Sequence, residues 1–514
     1  MTQDQALKIM ESGVNVFLTG APGAGKTYTL NKFISQIEKS GKRVAITAST
    51  GIAATHIGGL TIHSWSGIGI KDELTKDDKA YISASESLRH RFRSTDVLII
   101  DEISMLHGFR LDLVNEVACL LRDSQQPFGG IQVILVGDFF QLPPISQGSD
   151  DMIDFLYNSK SWHELDLHIC YLTEQHRQAQ NDGLLSFLDA MRNNTVSDSQ
   201  LELIKSRIGL AKKSDKVITK LYSHNFDVDS VNKRQLEQLD GKMYSFTAKT
   251  TGQKYKVEQL LKNILSPKEL DLKINAEVMF VVNNFSEGYV NGSRGRVVGF
   301  NTEQPVVKLE NGREVRVSRH KWTLQEDGEI IAQVEQMPLR LAWAITIHKS
   351  QGMSLDAAEI DLSRAFTPGM GYVAISRVKS LDGLYLTGLN NMALVLNPKI
   401  YDLDFSLKQF SLLLTNQFDP DTDDLVKTIS QNRKLINQEL FQLLLQWRSE
   451  ISQNDDDIVF NIPDSILEIV AALKPINILQ LSSLPGWGKR MIKKYGQQVV
   501  GIIKEYQIKS FQNS

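Results

Sequence analysis

The chain has 514 residues, with 57 basic and 60 acidic side chains and a net charge of −3. Its length favours about three or four domains over a single core, and its nearly balanced charge excludes a uniformly basic nucleic-acid-binding surface. It has only two cysteines, without metal-type spacing, and no apolar run long enough to cross a membrane. We therefore expect a soluble intracellular protein without a signal peptide, a disulfide framework or a transmembrane segment.

The first strong motif follows a short predicted strand. Residues 14–18 form an apolar run, and residues 20–27 fit the phosphate-loop pattern G-x-x-x-x-G-K-[ST] at every fixed position. Apolar residues at helical spacing follow, so the loop opens a helix whose N-terminus favours phosphate. Triphosphate contacts are expected from Gly20, Gly23, Gly25, Lys26 and Thr27. Lys26 would reach the β- and γ-phosphates and the Thr27 hydroxyl would bind Mg2+, whereas a chance match is disfavoured by the strand–loop–helix order.

Two glutamines precede this loop, in a short predicted helix that Thr2 or Asp4 can cap. A glutamine amide both donates and accepts hydrogen bonds, so it can read an adenine edge. From the residues alone, Gln3 and Gln5 are equally plausible readers. A solvated helix face is the simpler interpretation of either.

A pair of acids ends the apolar run at residues 97–100, which is typical of a buried parallel strand. Ligands of open α/β sheets bind at the carboxyl ends of the strands. Asp101 would therefore hold Mg2+, and Glu102 would orient or deprotonate the attacking water. An acidic helix cap is the alternative for an isolated pair, but the upstream phosphate loop favours the catalytic interpretation.

Loops rich in Ser, Thr and Gly follow the predicted strand at residues 44–47 and continue to Trp65. Their hydroxyl and amide groups suit a sugar–phosphate chain, and either His63 or Trp65 can stack on a base. Ordinary turns are the simpler interpretation of such loops. Residues 67–93 then interrupt the α/β pattern and end in a basic stretch, which predicts either a small insertion near the nucleic acid or a solvated helix face.

Three further side chains suit the chemistry at a γ-phosphate. Gln141 follows the predicted strand at residues 131–136, next to the expected triphosphate, where a glutamine can sense the γ-phosphate. Arg177 and Arg377 lie much further along the chain. An arginine that reaches the γ-phosphate from another domain stabilises the charge of the transition state. Most arginines are solvated surface residues, so the surrounding motifs carry this interpretation.

The predicted secondary structure changes twice in the second half of the chain. Short strands with hairpin-type turns fill residues 275–330 and predict a small β-barrel, after which the α/β pattern returns. Residues 413–432 are typical of a linker, and residues 433–514 predict a separate helical domain. In that domain Trp487 adjoins Lys489 and Arg490, a combination that suits single-stranded DNA. The alternative is that Trp487 packs in the helical core.

These motifs, in this order, resemble those of the PIF (petite integration frequency) helicases, a RecD-related branch of the superfamily-one DNA helicases. The resemblance covers residues 2–390, and its motifs lie at 20–27, 47–64, 100–105, 128–144, 172–177, 344–352 and 372–377. It implies an α/β fold with two RecA-like P-loop domains, at 1–160 and 161–412. It also implies a wedge insertion at 66–93 and an SH3-like β-barrel insertion at 275–330.

The resemblance also implies roles for individual residues. The catalytic set would be Lys26, Glu102, Gln141, Arg177 and Arg377. Gln351 would contact the nucleotide, and spacing to Gly13 makes Gln3 rather than Gln5 the adenine reader. The DNA contacts would include Thr50, Thr61, His63, His348 and Lys349. Residues 433–511 resemble an HRDC (helicase and RNase D C-terminal) domain, in which Trp487 replaces a small apolar residue between two glycines.

The function implied is that of an ATP- and Mg2+-dependent DNA helicase that moves 5′→3′ on single-stranded DNA and unwinds forked or structured duplexes. The family acts in DNA replication, repair and telomere maintenance. The main rival is a DNA-stimulated ATPase that displaces bound proteins without processive unwinding, and a second rival is a non-helicase P-loop remodeller. We expect a cytoplasmic location, at the nucleoid in a bacterium, and no membrane partner.

Overall fold

The structure is a computed structural model of the 514-residue chain. It describes all residues except 58, 70, 145–152, 175–182, 211–217, 283, 285, 290–292, 302–303, 310–311, 327–328, 416–435, 453–461, 485, 489–490 and 513–514. No helix among the described residues is long and apolar enough to cross a membrane.

A six-stranded parallel sheet forms the first α/β unit, with the strand order β3-β2-β4-β5-β1-β6. Its strands are β1 (Val16–Gly20), β2 (Val44–Ala48), β3 (Leu60–Thr61), β4 (Val97–Asp101), β5 (Gln132–Val136) and β6 (His168–Leu172). Helices α1 to α8 are Gln3–Glu11, Lys26–Lys39, Gly51–His56, Ile62–Ser66, Lys76–Ala84, Glu86–Ser94, Gly108–Arg122 and Lys160–Glu164. The apolar runs predicted as strands are buried, because helices cover both faces of a parallel sheet. Strand β6 pairs with β1, so the first sheet extends past the predicted boundary at residue 160.

A second parallel sheet follows, with the order β18-β7-β19-β20. Strands β7 to β20 are Thr219–Tyr222, Tyr244–Thr247, Lys249–Gly252, Glu269–Leu272, Glu277–Phe280, Arg294–Asn301, Gln304–Leu309, Glu314–Arg316, His320–Glu326, Glu329–Gln336, Leu339–Leu341, Ala344–Thr346, Ala358–Leu362 and Leu384–Leu389. Helices α9 to α15 are Gly183–Asn193, Asp198–Lys205, Asn225–Glu237, Lys254–Asn263, Ile347–Ser350, Met370–Ser376 and Pro398–Thr415. The α/β rhythm thus resumes where the sequence predicted it.

Antiparallel strands lie between β7 and β18 of this second sheet. They form sheets of five strands (β14-β13-β12-β11-β17), three strands (β15-β16-β9) and two strands (β10-β8). The five-stranded sheet and the two-stranded sheet share a core that includes Phe246, Val278 and Val307. These strands begin before residue 275 and continue past residue 330, so the inserted unit is larger than the predicted range.

Helices α5 and α6 occupy the predicted wedge and pack against α7. The Arg91 guanidinium donates a hydrogen bond to the Trp65 carbonyl at 2.7 Å, and Arg93 Nε donates to the Leu121 carbonyl at 3.3 Å. Phe92 is fully buried against Trp65, with ring centroids 4.5 Å apart. Part of the basic stretch therefore fastens the wedge to the first α/β unit.

The C-terminal helices pack on the rest of the molecule. Helices α16 to α19 are Gln438–Ser452, Asp464–Leu473, Ile478–Ser482 and Gln497–Gln512. Helix α17 packs against α15, and α19 packs against the 3-10 turn Leu156–Asn158. The buried side chains of this region belong to the same apolar core as those of the first α/β unit. Most of the predicted linker lies outside the described residues.

Candidate nucleotide and DNA site

The phosphate loop has the backbone that its glycines permit. Gly20, Gly23 and Gly25 all have positive φ, and at Gly25 an added Cβ would lie 1.9 Å from Gln3 Nε2. Lys26 Nζ donates hydrogen bonds to the Gly20 and Ala21 carbonyls, at 2.7 and 3.2 Å. Burial lowers the pKa of Lys26, and the negative charge of Asp138 is the largest influence that opposes this effect.

The two N-terminal glutamines have different surroundings. Gln3 Nε2 donates a hydrogen bond to the Ala24 carbonyl at 3.3 Å, and the Gln3 amide N–H donates to Glu174 Oε2 at 3.0 Å. Gln5 instead completes a capping box with Thr2, the N-cap of α1. The structure therefore places Gln3 against the phosphate loop, whereas the Gln5 side chain is engaged in capping the helix.

The acid pair lies at the carboxyl edge of the first sheet. Asp101 pairs with Ala48 of β2, and β1 ends beside β5, so the phosphate loop and the acids share this edge. Burial, and next the charge of Glu102, raises the pKa of Asp101 to about 7. Glu102 has a φ of 52°, a conformation that non-glycine residues adopt at a cost and often at functional sites. Ser49 Oγ donates to the Glu102 carbonyl at 2.6 Å and fixes this turn.

The two α/β units meet at a cleft of about 540 Å3. Thr27, Asp101 and Glu102 line it from the first unit, and His348 and Gln351 line it from the second. Gln351 Nε2 donates a hydrogen bond to Glu102 Oε2 at 3.0 Å. The predicted nucleotide residues of the two units are thus in direct contact.

Gln141 and Arg377 are both buried, at 6% and 4% relative exposure. Among the described residues, Gln141 Oε1 has no hydrogen-bond partner. The Arg377 guanidinium donates to the carbonyls of Val373 and Met353 and to Ser376 Oγ. These are contacts within the second unit, so a role at the γ-phosphate remains a prediction. Arg177 lies outside the described residues.

The predicted DNA contacts line the edges of the two sheets. Thr50 follows β2, and Thr61 is the last residue of the neighbouring strand β3. Both side chains accept hydrogen bonds, at the starts of α3 and α4. Burial, and then the charge of Arg110, lowers the pKa of His63 to about 4, so its ring is neutral at pH 7. In the second unit, His348 stacks on Phe366, with centroids 6.2 Å apart and planes 20° apart.

Lys349 is half-buried at the end of the short helix α13, which Thr346 caps. Burial, and next the positive charge of Arg340, lowers the pKa of Lys349. A bound phosphate would stabilise the charged form of Lys349, because its negative charge offsets the repulsion between the two cations. Lys349 lines the same cleft as Thr50 and His348.

Two aromatic predictions are corrected by the structure. Trp487 is 2% exposed and stacks on Trp447 at 6.2 Å inside the helical core, so it offers no open face to a base. Trp65 is 4% exposed and packs on Phe92, which leaves His63 as the candidate of that pair. Lys489 and Arg490 lie outside the described residues. A buried aromatic side chain contributes a large apolar area to a core, and sequence alone did not distinguish this role from base stacking.

Sequence reasoning missed part of the cleft. Thr346, Ser223, His224 and Phe366 also line it, and the Phe366 ring is 52% exposed, with His224 5.1 Å away. His224 lies two residues after the end of strand β7, so its position near a strand end was the available signal. Phe366 lies in a loop without a motif of its own.

The residues present fit a magnesium–triphosphate pair. Thr27 and Asp101 line the same cleft and offer the oxygen ligands that Mg2+ prefers. The glycine loop and the Lys26 ammonium group lie beside them. When bound, Mg2+ would neutralise phosphate charge between Thr27 and Asp101.

This fold and this site define a P-loop nucleoside triphosphatase with two α/β units that face each other across the nucleotide cleft. A family model for "PIF1-like helicase" matches residues 3–200, and one for "HRDC domain" matches residues 437–503. ATP-dependent DNA helicase Pif1 from Psychrobacter sp. is 42% identical over 479 residues, which cover 82% of this chain and 72% of that protein. The chain belongs to the PIF1-like helicase family, with an HRDC domain at its C-terminus.

Solved structures of the family are similar over the same region. The Pif1 helicase from Candida albicans has a TM-score of 0.69 at 34% identity, covering 79% of this chain and 98% of that one. Bacteroides sp. Pif1 in complex with ADP-AlF4 has a TM-score of 0.67 at 31% identity, covering 79% and 96%. Bacteroides Pif1 has also been solved bound to single-stranded DNA, and a further similar structure concerns DNA unwinding at forked duplex DNA by two coordinating Pif1 helicases. These likenesses support the two-unit α/β fold, and the SH3-like barrel of the inserted strands stays a prediction.

Proposed function

We propose that this chain is an ATP-dependent DNA helicase that moves 5′→3′ along single-stranded DNA and unwinds forked or structured duplexes. The hydrogen bond from Gln351 to Glu102 carries the proposal. It joins the acid that would activate water to the segment that also contains His348 and Lys349. A change at the γ-phosphate can therefore be transmitted to a DNA-contacting segment of the opposite unit.

Each residue has one role in this proposal. Gln3 reads adenine, the loop from Gly20 to Thr27 binds the phosphates, and Thr27 and Asp101 hold Mg2+. Glu102 orients the attacking water while Gln141, Arg177 and Arg377 stabilise charge at the γ-phosphate. Thr50, Thr61, His63, His348 and Lys349 hold the DNA strand. Membership of the family supports these roles, and the 5′→3′ direction rests on that membership alone.

Single-stranded and forked DNA are the proposed partners, because Bacteroides Pif1 has been solved bound to single-stranded DNA and another similar structure concerns unwinding at forked duplex DNA by Pif1 helicases. A protein that acts on DNA works where the DNA is, which in a bacterium is the cytoplasmic nucleoid. The half-buried His63 and His348 rings suit bases, since a neutral ring stacks on any base without reading its sequence.

A strand-displacement assay tests the proposal. Duplexes with a 5′ tail, a 3′ tail or a fork are incubated with the full chain, with and without ATP, and Glu102→Gln is the matched control for bound but unhydrolysed nucleotide. We expect ATP-dependent displacement of the 5′-tailed and forked substrates only. Preference for the 3′ tail would contradict the direction. ATP hydrolysis stimulated by DNA without displacement would instead identify a translocase, and hydrolysis indifferent to DNA would identify another kind of P-loop remodeller.

A further inference from the structure

A buried arginine lies at the junction between the two α/β units, outside the set of residues assigned above. Arg192, near the end of α9, has a side chain that is 2% exposed. Its Nη1 atom donates to both carboxylate oxygens of Asp138 at 2.8 Å and to the Tyr372 hydroxyl at 2.8 Å. Its Nη2 atom donates to the Tyr171 hydroxyl at 2.7 Å and to Asp404 Oδ1 at 3.0 Å.

The partners of Arg192 come from different parts of the molecule. Asp138 lies in the loop after β5, Tyr171 is in β6 of the first sheet, and Tyr372 is in α14 of the second unit. Asp404 on α15 also pairs with Lys408 at 2.9 Å, so two cations balance two anions. An arginine fork satisfies several acceptors at fixed angles, which a lysine cannot do.

The loop that Arg192 holds is the one that carries Gln141. The Gln141 amide N–H donates to the Asp138 carbonyl at 3.0 Å, and the Phe140 ring lies 4.6 Å below the Arg192 guanidinium. The negative charge of Asp138 is also the largest influence that opposes the lowering of the Lys26 pKa. The Asp138 end of the network therefore acts electrostatically on the phosphate site.

The same loop touches the start of α14. Gly369, the N-cap of α14, has a φ of 83°, and a Cβ there would lie 2.8 Å from the Phe140 carbonyl oxygen and 3.0 Å from that of Gln141. Arg377 is the C-cap of the same helix. Helix α14 thus lies between the Gln141 loop and the predicted arginine finger.

We propose that Arg192 is a positioning residue for ATP hydrolysis. It fixes the position of the Gln141 loop relative to α14, and hence relative to Arg377. The Tyr372 hydroxyl is the contact through which it does so. It accepts from Arg192 and donates to Asp138 Oδ2 at 3.3 Å, so it ties the second unit to both members of the ion pair. Closure of the cleft then brings Gln141 and Arg377 to the nucleotide together.

Tyr372→Phe tests this link, and Tyr171→Phe is its matched control. Each variant removes one buried hydroxyl that accepts from Arg192, and neither removes core volume. Of these two hydroxyls, that of Tyr372 bonds Asp138 of the Gln141 loop, whereas that of Tyr171 donates to Asp404 at 2.9 Å. The readouts are kcat and KM for ATP in the presence of single-stranded DNA, together with the thermal midpoint of each full-length variant.

We expect Tyr372→Phe to lower kcat about tenfold, because misplacement of Gln141 relative to Arg377 raises the barrier to hydrolysis, with KM for ATP changed by less than about twofold. Tyr171→Phe should retain both constants at comparable thermal stability. Arg192→Lys, which keeps the charge but loses the fork, should lower kcat at least as much as Tyr372→Phe. If Arg192→Lys fails to fold, the comparison of Tyr372→Phe with Tyr171→Phe still tests the positioning role.

Unchanged kcat in Tyr372→Phe, or an equal loss in both Phe variants, would overturn the role of Arg192. A loss expressed mainly in KM would do so as well, because it would indicate a binding defect. This inference rests on the proposed ATP-driven motor. A wild-type chain without DNA-stimulated turnover would contradict the motor itself, whereas an active wild type matched by Tyr372→Phe would contradict only the positioning role.

Discussion

At the scale of single residues, Lys26 and Glu102 carry the hydrolytic step. Lys26→Ala removes the charge at the phosphates, and Glu102→Gln removes the base while keeping a side chain that still reaches Gln351. Both variants should lose ATP turnover, by about a thousandfold or more, because they remove charge stabilisation or water activation. Only Lys26→Ala should also weaken ATP binding.

Steady-state phosphate release measures turnover, and fluorescent nucleotide titration measures binding. Ser49→Ala is the control for the backbone turn at Glu102. Among the contacts described, the Ser49 hydroxyl bonds only the Glu102 carbonyl, so this variant alters the turn without removing the Glu102 carboxylate. Appreciable turnover by either purified variant would remove the assignment of this site.

The two glutamines give a matched pair for the adenine contact. Gln3→Ala should raise KM for ATP about tenfold and reduce the preference of ATP over GTP, because one side-chain hydrogen bond to the base is lost. Gln5→Ala should leave nucleotide preference intact and instead cost about 1 kcal/mol of stability through the capping box of α1. Kinetics with ATP and GTP, beside thermal unfolding, separate the two. A loss of ATP preference in Gln5→Ala alone would reverse the assignment.

Arg377 should act only when the cleft closes. The partners of its guanidinium include carbonyl and hydroxyl oxygens of the second unit, and we expect closure of the cleft to redirect the guanidinium to the γ-phosphate. Arg377→Ala should reduce DNA-stimulated kcat by about a thousandfold, as for other arginine fingers, with a much smaller change in ATP affinity. Arg377→Lys, which keeps the charge, tells an electrostatic role from a loss of buried packing. Near-normal turnover in Arg377→Ala would show that this arginine does not reach the nucleotide.

At the scale of elements, the sequence predicted the structure best at positions where the backbone conformation and the chemistry both require one residue type. Gly25 must be glycine because Gln3 lies where its Cβ would be, and the loop pattern encodes that position directly. The strand before Asp101 was likewise readable from its apolar run. Trp65 and Trp487 were not, because an aromatic beside cations looks the same in sequence whether it faces DNA or the core. The Arg192 network links residues more than two hundred positions apart, so no local pattern contains it.

The junction between α8 and the HRDC domain contains a histidine whose charge is suppressed. His163 is 6% exposed, and neither ring nitrogen has a hydrogen-bond partner among the described residues. Burial, and next the charge of Lys504 on α19, lowers the pKa of His163 to about 4. Folding therefore favours the neutral ring at this junction.

The consequence is a loss of stability in acid. With an unfolded pKa of about 6.5, the unfolded chain binds the extra proton first, so this contribution is fully present above pH 6.5 and is lost as the pH falls to 4. The loss is about 2 kcal/mol at pH 5. Thermal midpoints should therefore fall less steeply from pH 7.5 to 5 in His163→Leu than in wild type. The exposed His90, changed to Gln, is the control, and parallel pH profiles for wild type and His163→Leu would contradict the expectation.

At the scale of the whole molecule, the HRDC domain is part of the packed structure. Its helices meet α15 and the turn Leu156–Asn158, and a cavity of about 580 Å3 lies between it and the first unit. The ATP site is built from other surfaces of the two α/β units. Loss of the HRDC domain should therefore leave nucleotide hydrolysis intact, but it should lower the stability of the remaining chain.

Removal of residues 433–514 tests this separation. The shortened chain should keep DNA-stimulated ATPase activity but unfold at a lower temperature, because apolar surface that the HRDC helices cover becomes exposed. Any DNA tether must now rely on cations rather than on Trp487, and Lys493 and Lys494 are exposed. Lys493→Glu combined with Lys494→Glu in the full chain is the matched variant, since it reverses this charge without removing the docked helices.

If the HRDC domain tethers DNA, both changes should weaken binding to forked DNA and shorten the unwound length per encounter, most strongly at low salt. Thermal stability should fall only in the shortened chain. Equal affinity for forked DNA in all three proteins would leave the domain with a structural role or a protein partner. A shortened chain without ATPase activity would instead show that HRDC docking supports the motor itself, in which case the Asp404 contact to Arg192 through α15 is the first connection to examine.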